Sequence, residues 1–354
     1  MKKLLLILLC LPILFSTCKK ESISDIISND PINHTYINHI DSVTTIILDP
    51  IFEQYIIDLG CDDSLNGYVL TAGVDTITFL DISHENINDL TGIENFFNLT
   101  NLDCSGNQLT GLYLAKNINL IDLNCSSNNL INLDVSGNTI LTTLNCSYNQ
   151  ITNLDVSNNS YLYCLICHSN NLISLDANGL SKLDSLNCSY NKLTSLNVNA
   201  ANNLTFFNCR FNLLTSLNLS TNTALHIAYL ERNQLTSLDV RDNTNLTMLF
   251  CHTNQLTSLD VSQNIALTDL NCRDNQLTSL NVSQNIALTS LHSHDNQFIS
   301  LDIRNGNNVN MEMNTQNNPN LTCISVDDVA WSTANWTVAN FNINPQHYFS
   351  TTCP

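Results

Sequence analysis

The stretch LTDLNCRDNQLTSLNVSQNIA, residues 267–287, states nearly one phrase twice: L-x-x-L-x-C-x-x-N and then L-x-x-L-x-V-x-x-N. The whole unit recurs every 21 residues. Leu99, Leu120, Leu141, Leu162, Leu183, Leu204, Leu225, Leu246, Leu267 and Leu288 hold that spacing without a break, as does a second column from Leu112 to Leu301. Between them runs an unbroken Asn column from Asn107 to Asn296. A fixed period of this size predicts a solenoid in which each coil buries its apolar face against its neighbours. Period-2 alternation with β-branched residues and no helical stripe favours extended chain on both sides of each coil, with little helix.

The unit resembles the nested 21-residue bacterial class of leucine-rich repeat, over about residues 78–308. The resemblance implies a mostly β, right-handed leucine-rich-repeat solenoid of about ten coils. Its curvature is weak if both flanks repeat at the strand spacing of about 4.8 Å. Asn at the turn is expected to offer its amide to buried backbone groups and to the next Asn. The second Asn column (Asn117, Asn138, Asn159, Asn222, Asn243, Asn264, Asn285) breaks at Leu180, Ala201 and Gly306, so the outer turn is less strictly specified.

A solenoid needs caps over its terminal coils. Asp49-Pro50 is a helix-start signal, Phe52, Tyr55, Ile56 and Leu59 share a helical face, and Gly60 is a stop. FEQYIIDLG followed by VDTITFLDIS resembles the N-terminal cap of secreted bacterial leucine-rich-repeat proteins, and NPNLTCISVDDVAWSTANW resembles their C-terminal cap. Trp331, Trp336, Phe341 and Phe349 are expected to seal the last coil.

Met1-Lys2-Lys3 and the apolar run Leu4 to Phe15 read as a signal peptide. About a dozen apolar residues are too few for a transmembrane helix, which needs about 20. Leu14-Phe15-Ser16-Thr17-Cys18 resembles a bacterial lipobox, which implies lipidation at Cys18. The absence of Asp after Cys18 implies the outer membrane, with the cell surface as the expected face and simple secretion as the alternative. The chain therefore divides into a signal peptide (1–17), a lipidated N-terminus and tether (18–48), an N-terminal cap with a first atypical repeat (49–98), the repeats (99–308) and a C-terminal cap (309–354).

Twelve Lys and Arg against 31 Asp and Glu give a net charge of −19. That works against nucleic acid, and against a membrane contact other than the lipid anchor. Asn occupies 57 of 354 positions, largely as the mark of stacked turns. Of 14 Cys, eight (Cys104, Cys125, Cys146, Cys167, Cys188, Cys209, Cys251, Cys272) share a column with Leu230 and Ser293. Alternation turns them inward, where strand spacing is too wide for disulfides, so they read as small packing hydrophobes. Cys164 and Cys167 form C-x-x-C, but three residues along a strand point to opposite faces. Cys323 and Cys353 bracket the C-terminal cap of an exported chain and are expected to pair.

The outward columns are mostly small and polar, and become apolar at Phe206, Ile227 and Met248. Beside them stand Tyr229 and Phe250, then Arg210, Glu231, His252, Arg273 and His294, with Phe211, Arg232 and His292. Aromatic, Met and Arg residues on an Asn/Ser surface have the composition of a binding patch for a protein or carbohydrate ligand. Cover by another part of the chain, or drift on a tolerant face, is the bland alternative. His292 and His294 with nearby Asp269, Asp274 and Asp295 have metal-compatible spacing, but such groups more often face solvent, and no metal is assigned. The same holds for Asp134, Asp155, Asp176, Asp239, Asp260 and Asp302 on the second flank. No nucleophile with a base and no glycine phosphate loop is found, so neither enzyme activity nor a cofactor is expected. The expectation is a monomeric binding or adhesion module, as in internalin-like surface proteins. The alternative is a structural or scaffold envelope lipoprotein.

Overall fold

The computed structural model describes residues 44–354. Cys18 and the segments expected to be the signal peptide and most of the tether lie outside these residues. Twelve three-residue parallel strands, from Phe79–Asp81 to Glu312–Asn314, form the main sheet in register. Ten of them start 21 residues apart, from Asn101 to Ser290, and the flanking coils are one residue longer (79 to 101, 290 to 312). The twelfth strand falls inside the segment assigned to the C-terminal cap. On the second flank the chain forms strands only at Ser174–Asp176 and Ser195–Asn197, and in a four-stranded sheet from Ser279–Asn281 to Tyr348–Ser350. Elsewhere among the described residues that flank forms no strands.

Each main strand turns its middle residue inward. The first Leu column and all eight Cys of the inward column are buried, with Leu230 and Ser293 in the same register, while the second Leu column is half-buried at Leu112, Leu196 and Leu217. The coil of Leu230 is repacked: Ala228 replaces Leu in the strand, and its partner in the preceding strand is Phe207. Large and small residues thus offset one another and keep the coil period. Burial pushes the column thiols up, those of Cys146 and Cys272 to about 12. They are therefore neutral packing groups. Cys167 is in the core, and Cys164 is half-buried on the strand face.

The inner-turn Asn residues join two coils each. Asn191 Nδ2 donates to the carbonyls of Cys167 (3.0 Å) and Cys188 (3.1 Å), and its Oδ1 accepts the Leu172 N–H (3.0 Å). The same pattern recurs from Asn128 to Asn296. The amides bond to backbone and not to one another, which corrects the expected amide-to-amide stacking: the peptide groups of the turn use both ends of each carboxamide. In the second column Nδ2 likewise joins two carbonyls, as from Asn138 to Leu114 and Asn117, while its Oδ1 has no hydrogen-bond partner among the described residues. Asn305 resumes this column in the longer coil by donating to the Asn285 carbonyl.

The N-terminal cap helix spans Pro50–Asp58. Asp49 caps it through Oδ1 to the N–H groups of Ile51 and Phe52, and latches it to the first coils through Oδ2 to Asn88 and Asp89. Phe52 and Ile56 are buried, as expected. The folded body starts upstream of the expected boundary at 49. Thr44–Ile46 pairs antiparallel with Tyr68–Leu70 and Ile47 is buried, so residues 44–48 belong to the cap and not to the tether. At the other end Cys323 and Cys353 form a disulfide, Trp331 and Trp336 pack edge to face, and Trp336 lies 5.9 Å from the Phe349 ring. Phe341 does not seal the coil. It is 70% exposed, because it occupies a left-handed turn position (φ 59°) that carries its ring away from the core holding Trp336 and Phe349.

Candidate functional site

The outward position after each buried strand residue has a local task. Asp103, Asn124, Asn145, Asn187, Asn208 and Asn271 each accept the N–H two residues on, for example Ser105 to Asp103 at 2.9 Å and Arg210 to Asn208 at 3.2 Å. This Asx turn closes the strand end, and Asp or Asn serves equally. The second flank repeats the device at Asp134, Asp155, Asp176, Asp239, Asp260 and Asp302, whose carboxylates accept from the backbone two residues on. Hydrogen bonds hold the Asp134 and Asp155 carboxyls below the usual range, and that of Asp239 at about 2. Asn197, Asn218 and Asn281 stand in the same column and accept the N–H two residues on in the same way, so Asp and Asn are interchangeable there.

Ile166, Tyr229 and Phe250 carry no group that can make this bond. Tyr229 and Phe250 stand on consecutive strands, with ring centroids 5.2 Å apart, and Phe206 lies 5.9 Å from Tyr229. Ile227 and Met248, paired in the next column, extend the apolar surface. All five are half-buried, so each ring or chain rests on the sheet with one face open.

Below this row lie the charged groups. Glu231 is 4% exposed, and one carboxylate oxygen meets Arg210 Nη1 at 3.5 Å. Its Oε2 and the Arg210 Nε have no hydrogen-bond partner among the described residues. Burial raises the Glu231 carboxyl, against the opposing pull of Arg210. His252 is pushed down to about 4, by burial first and then by Arg273, Arg232, His294 and Arg210. The three Arg of this face thus add to the effect of burial on the imidazole.

The residue before each inner-turn Asn adopts a left-handed backbone: Tyr148, Ser169, Tyr190, Phe211, Arg232, Thr253, Asp274 and Asp295 have φ between 51° and 56°. Bulky residues rarely sit there. The turn enforces it, since the Phe211 N–H donates to Glu231 and the Asn212 N–H to Arg232 in the next coil. The column aligns Tyr190 and Phe211 with centroids 4.2 Å apart and planes at 14°. The Arg210 guanidinium lies 5.4 Å from the Tyr190 ring centroid and that of Arg232 lies 4.8 Å from that of Phe211. Two cations therefore stack on a pair of aromatic rings.

The structure thus brings together Phe206, Arg210, Phe211, Ile227, Tyr229, Glu231, Arg232, Met248, Phe250 and His252. Arg273 is tied to Asp274 (3.1 Å) and His294 to Asp295 (2.5 Å), while His292 stands two strands beyond Phe250. These three form a rim. No group of three or more His, Cys, Asp or Glu among the described residues is placed to hold a metal. Sequence reading missed Tyr190, and also Tyr148, which packs edge-on against His168 at 4.8 Å. Aligning the position before the Asn column would have found them. A cleft of about 650 Å³ lined by Asp89, Glu94, Tyr113 and Asp134 lies at the N-terminal coils, apart from this face.

The in-register β solenoid with its Asn ladder and buried Leu columns defines a leucine-rich-repeat fold. No protein-family model and no curated protein matches the chain. Among solved structures, the functional domain of InlJ from Listeria monocytogenes is 32% identical, with a TM-score of 0.71, over 87% of this chain and 70% of that one. That domain includes a cysteine ladder. A leucine-rich-repeat protein of Leptospira interrogans (24% identical, TM-score 0.59, 73% of this chain and 74% of that one) has the same fold. So has an internalin, InlF, of Listeria monocytogenes (20%, TM-score 0.59, 89% and 100%). The chain belongs to the internalin-type leucine-rich-repeat proteins of bacteria.

Proposed function

We propose that this chain is a non-enzymatic binding or adhesion protein of the cell envelope, and that it captures a protein on the strand face centred on Tyr229. The observation that carries the reading is the surrender of the Asx turn on consecutive coils. At Tyr229 and Phe250 a stabilising local bond gives way to half-buried aromatic rings with one face open. Such local departures mark function in otherwise consistent sequences. The aromatic and Arg composition is that of interface hot spots.

The test is capture on an array of purified extracellular proteins beside a glycan array, using the wild type and a variant with Ala at Phe206, Tyr229 and Phe250. Protein capture lost in the variant, at unchanged melting temperature, supports the reading. Glycan capture alone transfers the face to a carbohydrate ligand. No capture dependent on these residues leaves the scaffold role.

The lipobox-like Leu14 to Cys18 supports a lipid anchor in the outer membrane. Labelled palmitate that persists after Cys18→Ala would exclude that site.

A further inference from the structure

We propose that the partner presents a carboxylate-bearing, extended protein segment, an acidic residue next to an aromatic or aliphatic one, to Arg210 and Arg232. This deepens the strand-face reading and rests on it. Three observations support it. Arg232 is exposed and makes no ion pair among the described residues, and its guanidinium lies over the Phe211 ring. Arg210 is held from two sides, by the Tyr190 ring and by buried Glu231, and its side chain keeps 39% of its surface exposed. Both cations are thus oriented before any ligand arrives, so little side-chain entropy is lost on binding.

The third observation is electrostatic. In a chain with 31 acidic and 12 basic residues, Arg210, Arg232 and Arg273 gather on neighbouring coils; Glu231, Asp269, Asp274 and Asp295 lie among them, with Glu231 buried, Asp274 tied to Arg273 and Asp295 tied to His294. With the chain's net charge at −19, a carboxylate ligand finds its favourable contacts at cations that are oriented and not fully paired, as Arg210 and Arg232 are. The guanidinium fork donates two parallel hydrogen bonds to a carboxylate. The neighbouring row of Tyr229 and Phe250 takes an apolar side chain beside it. Glu231 is a positioning residue, since its carboxylate is covered and props Arg210.

The probe is a displayed library of random short peptides, selected on the wild-type chain. Enriched peptides should pair Asp or Glu with a neighbouring large apolar residue. Their affinity should fall at least about tenfold with Arg210→Gln/Arg232→Gln, or with Asp→Asn in the peptide. Glu231→Gln should cost less and weaken the salt dependence only slightly, while Tyr229→Ala should abolish capture. Thermal melting checks that each variant is folded. Neutral or basic peptides, or acidic ones indifferent to both Arg, overturn this inference while leaving the strand-face reading intact. Enrichment that does not depend on Tyr229 and Phe250 overturns both. Capture of an acidic glycan on these Arg residues and of no peptide overturns the commitment to a protein partner.

Discussion

Replacing Tyr229 by Asn separates what the fold needs from what a ligand needs. The substitution restores the residue type of its column. Asn208, in the preceding coil, accepts the Arg210 N–H at 3.2 Å, and the introduced carboxamide of Tyr229→Asn would stand to the Glu231 N–H in the same relation. One such hydrogen bond contributes about 0.5–1.5 kcal/mol. Against it stand two edge contacts, to Phe206 at 5.9 Å and to Phe250 at 5.2 Å, each worth about 0.5–1.5 kcal/mol. The terms nearly cancel, so urea unfolding followed by circular dichroism should show a change within about 2 kcal/mol of zero. Binding should respond differently. Truncating a central interface aromatic costs about 2 kcal/mol or more, roughly 30-fold in affinity. The refuting result is a stability loss above about 3 kcal/mol with ligand capture unchanged, which would make the aromatic row a packing feature.

The other predictions address the scaffold. Asn191→Ala removes amide bonds to Cys167, Cys188 and Leu172 and leaves their backbone groups buried, so it should cost about 2–4 kcal/mol in urea melts. Cys323→Ser with Cys353→Ser opens a loop with a sequence separation of 30, which should lower stability by about 3–4 kcal/mol and raise hydrogen exchange in the C-terminal cap first. The His252 imidazole is held down at about 4, so the unfolded chain binds its proton more readily than the folded one. That contribution is whole above the unfolded value of about 6.5 and is lost as pH falls towards 4; with the ring half-exposed it amounts to at most about 2 kcal/mol. Melts of wild type and His252→Gln should therefore show wild type losing more stability than the variant between neutral and mildly acid pH, by up to about 2 kcal/mol.

The repeat and its inward columns were legible because a stacked coil tolerates few residues at a buried position. Leu99 to Leu288 never vary, and the Cys column varies only to Leu230 and Ser293. The caps were legible in outline, from Asp49-Pro50 and from Cys323 and Cys353. Phe341 was not, because composition says that an aromatic is available to a cap but not which way its turn runs. Half of the candidate site was read from alternation along the strand. The other half depends on a left-handed turn position, which period-2 patterning does not describe. Tyr190 and Phe211 stack because that turn aims successive residues along one line, a property of φ and not of hydropathy. Charge pairing was also hidden: Glu231 is buried under Arg210 although its column faces outward.

Inside the same coils the core departs from the repeat as well, and the two departures are linked by geometry. Leu becomes Phe207 in one strand and Ala228 in the next, and Cys becomes Leu230 two residues on, all fully buried. The aromatic row rests directly on these strands, so their spacing depends on that exchange of volume. Ala228→Leu alone should overpack the coil and cost about 1–3 kcal/mol. Adding Phe207→Leu and Leu230→Cys returns the column to its usual residues and should recover most of the loss. A mutant cycle in urea measures the coupling, which for touching residues reaches about 0.5–3 kcal/mol. Strictly additive effects would mean that Phe207, Ala228 and Leu230 do not share one space, and the compensation inferred from their register would be wrong. If coupling is found and the repacked triple variant still captures ligand, the aromatic row owes its position to the backbone register alone, and the core beneath it is free to drift as long as its volume is kept.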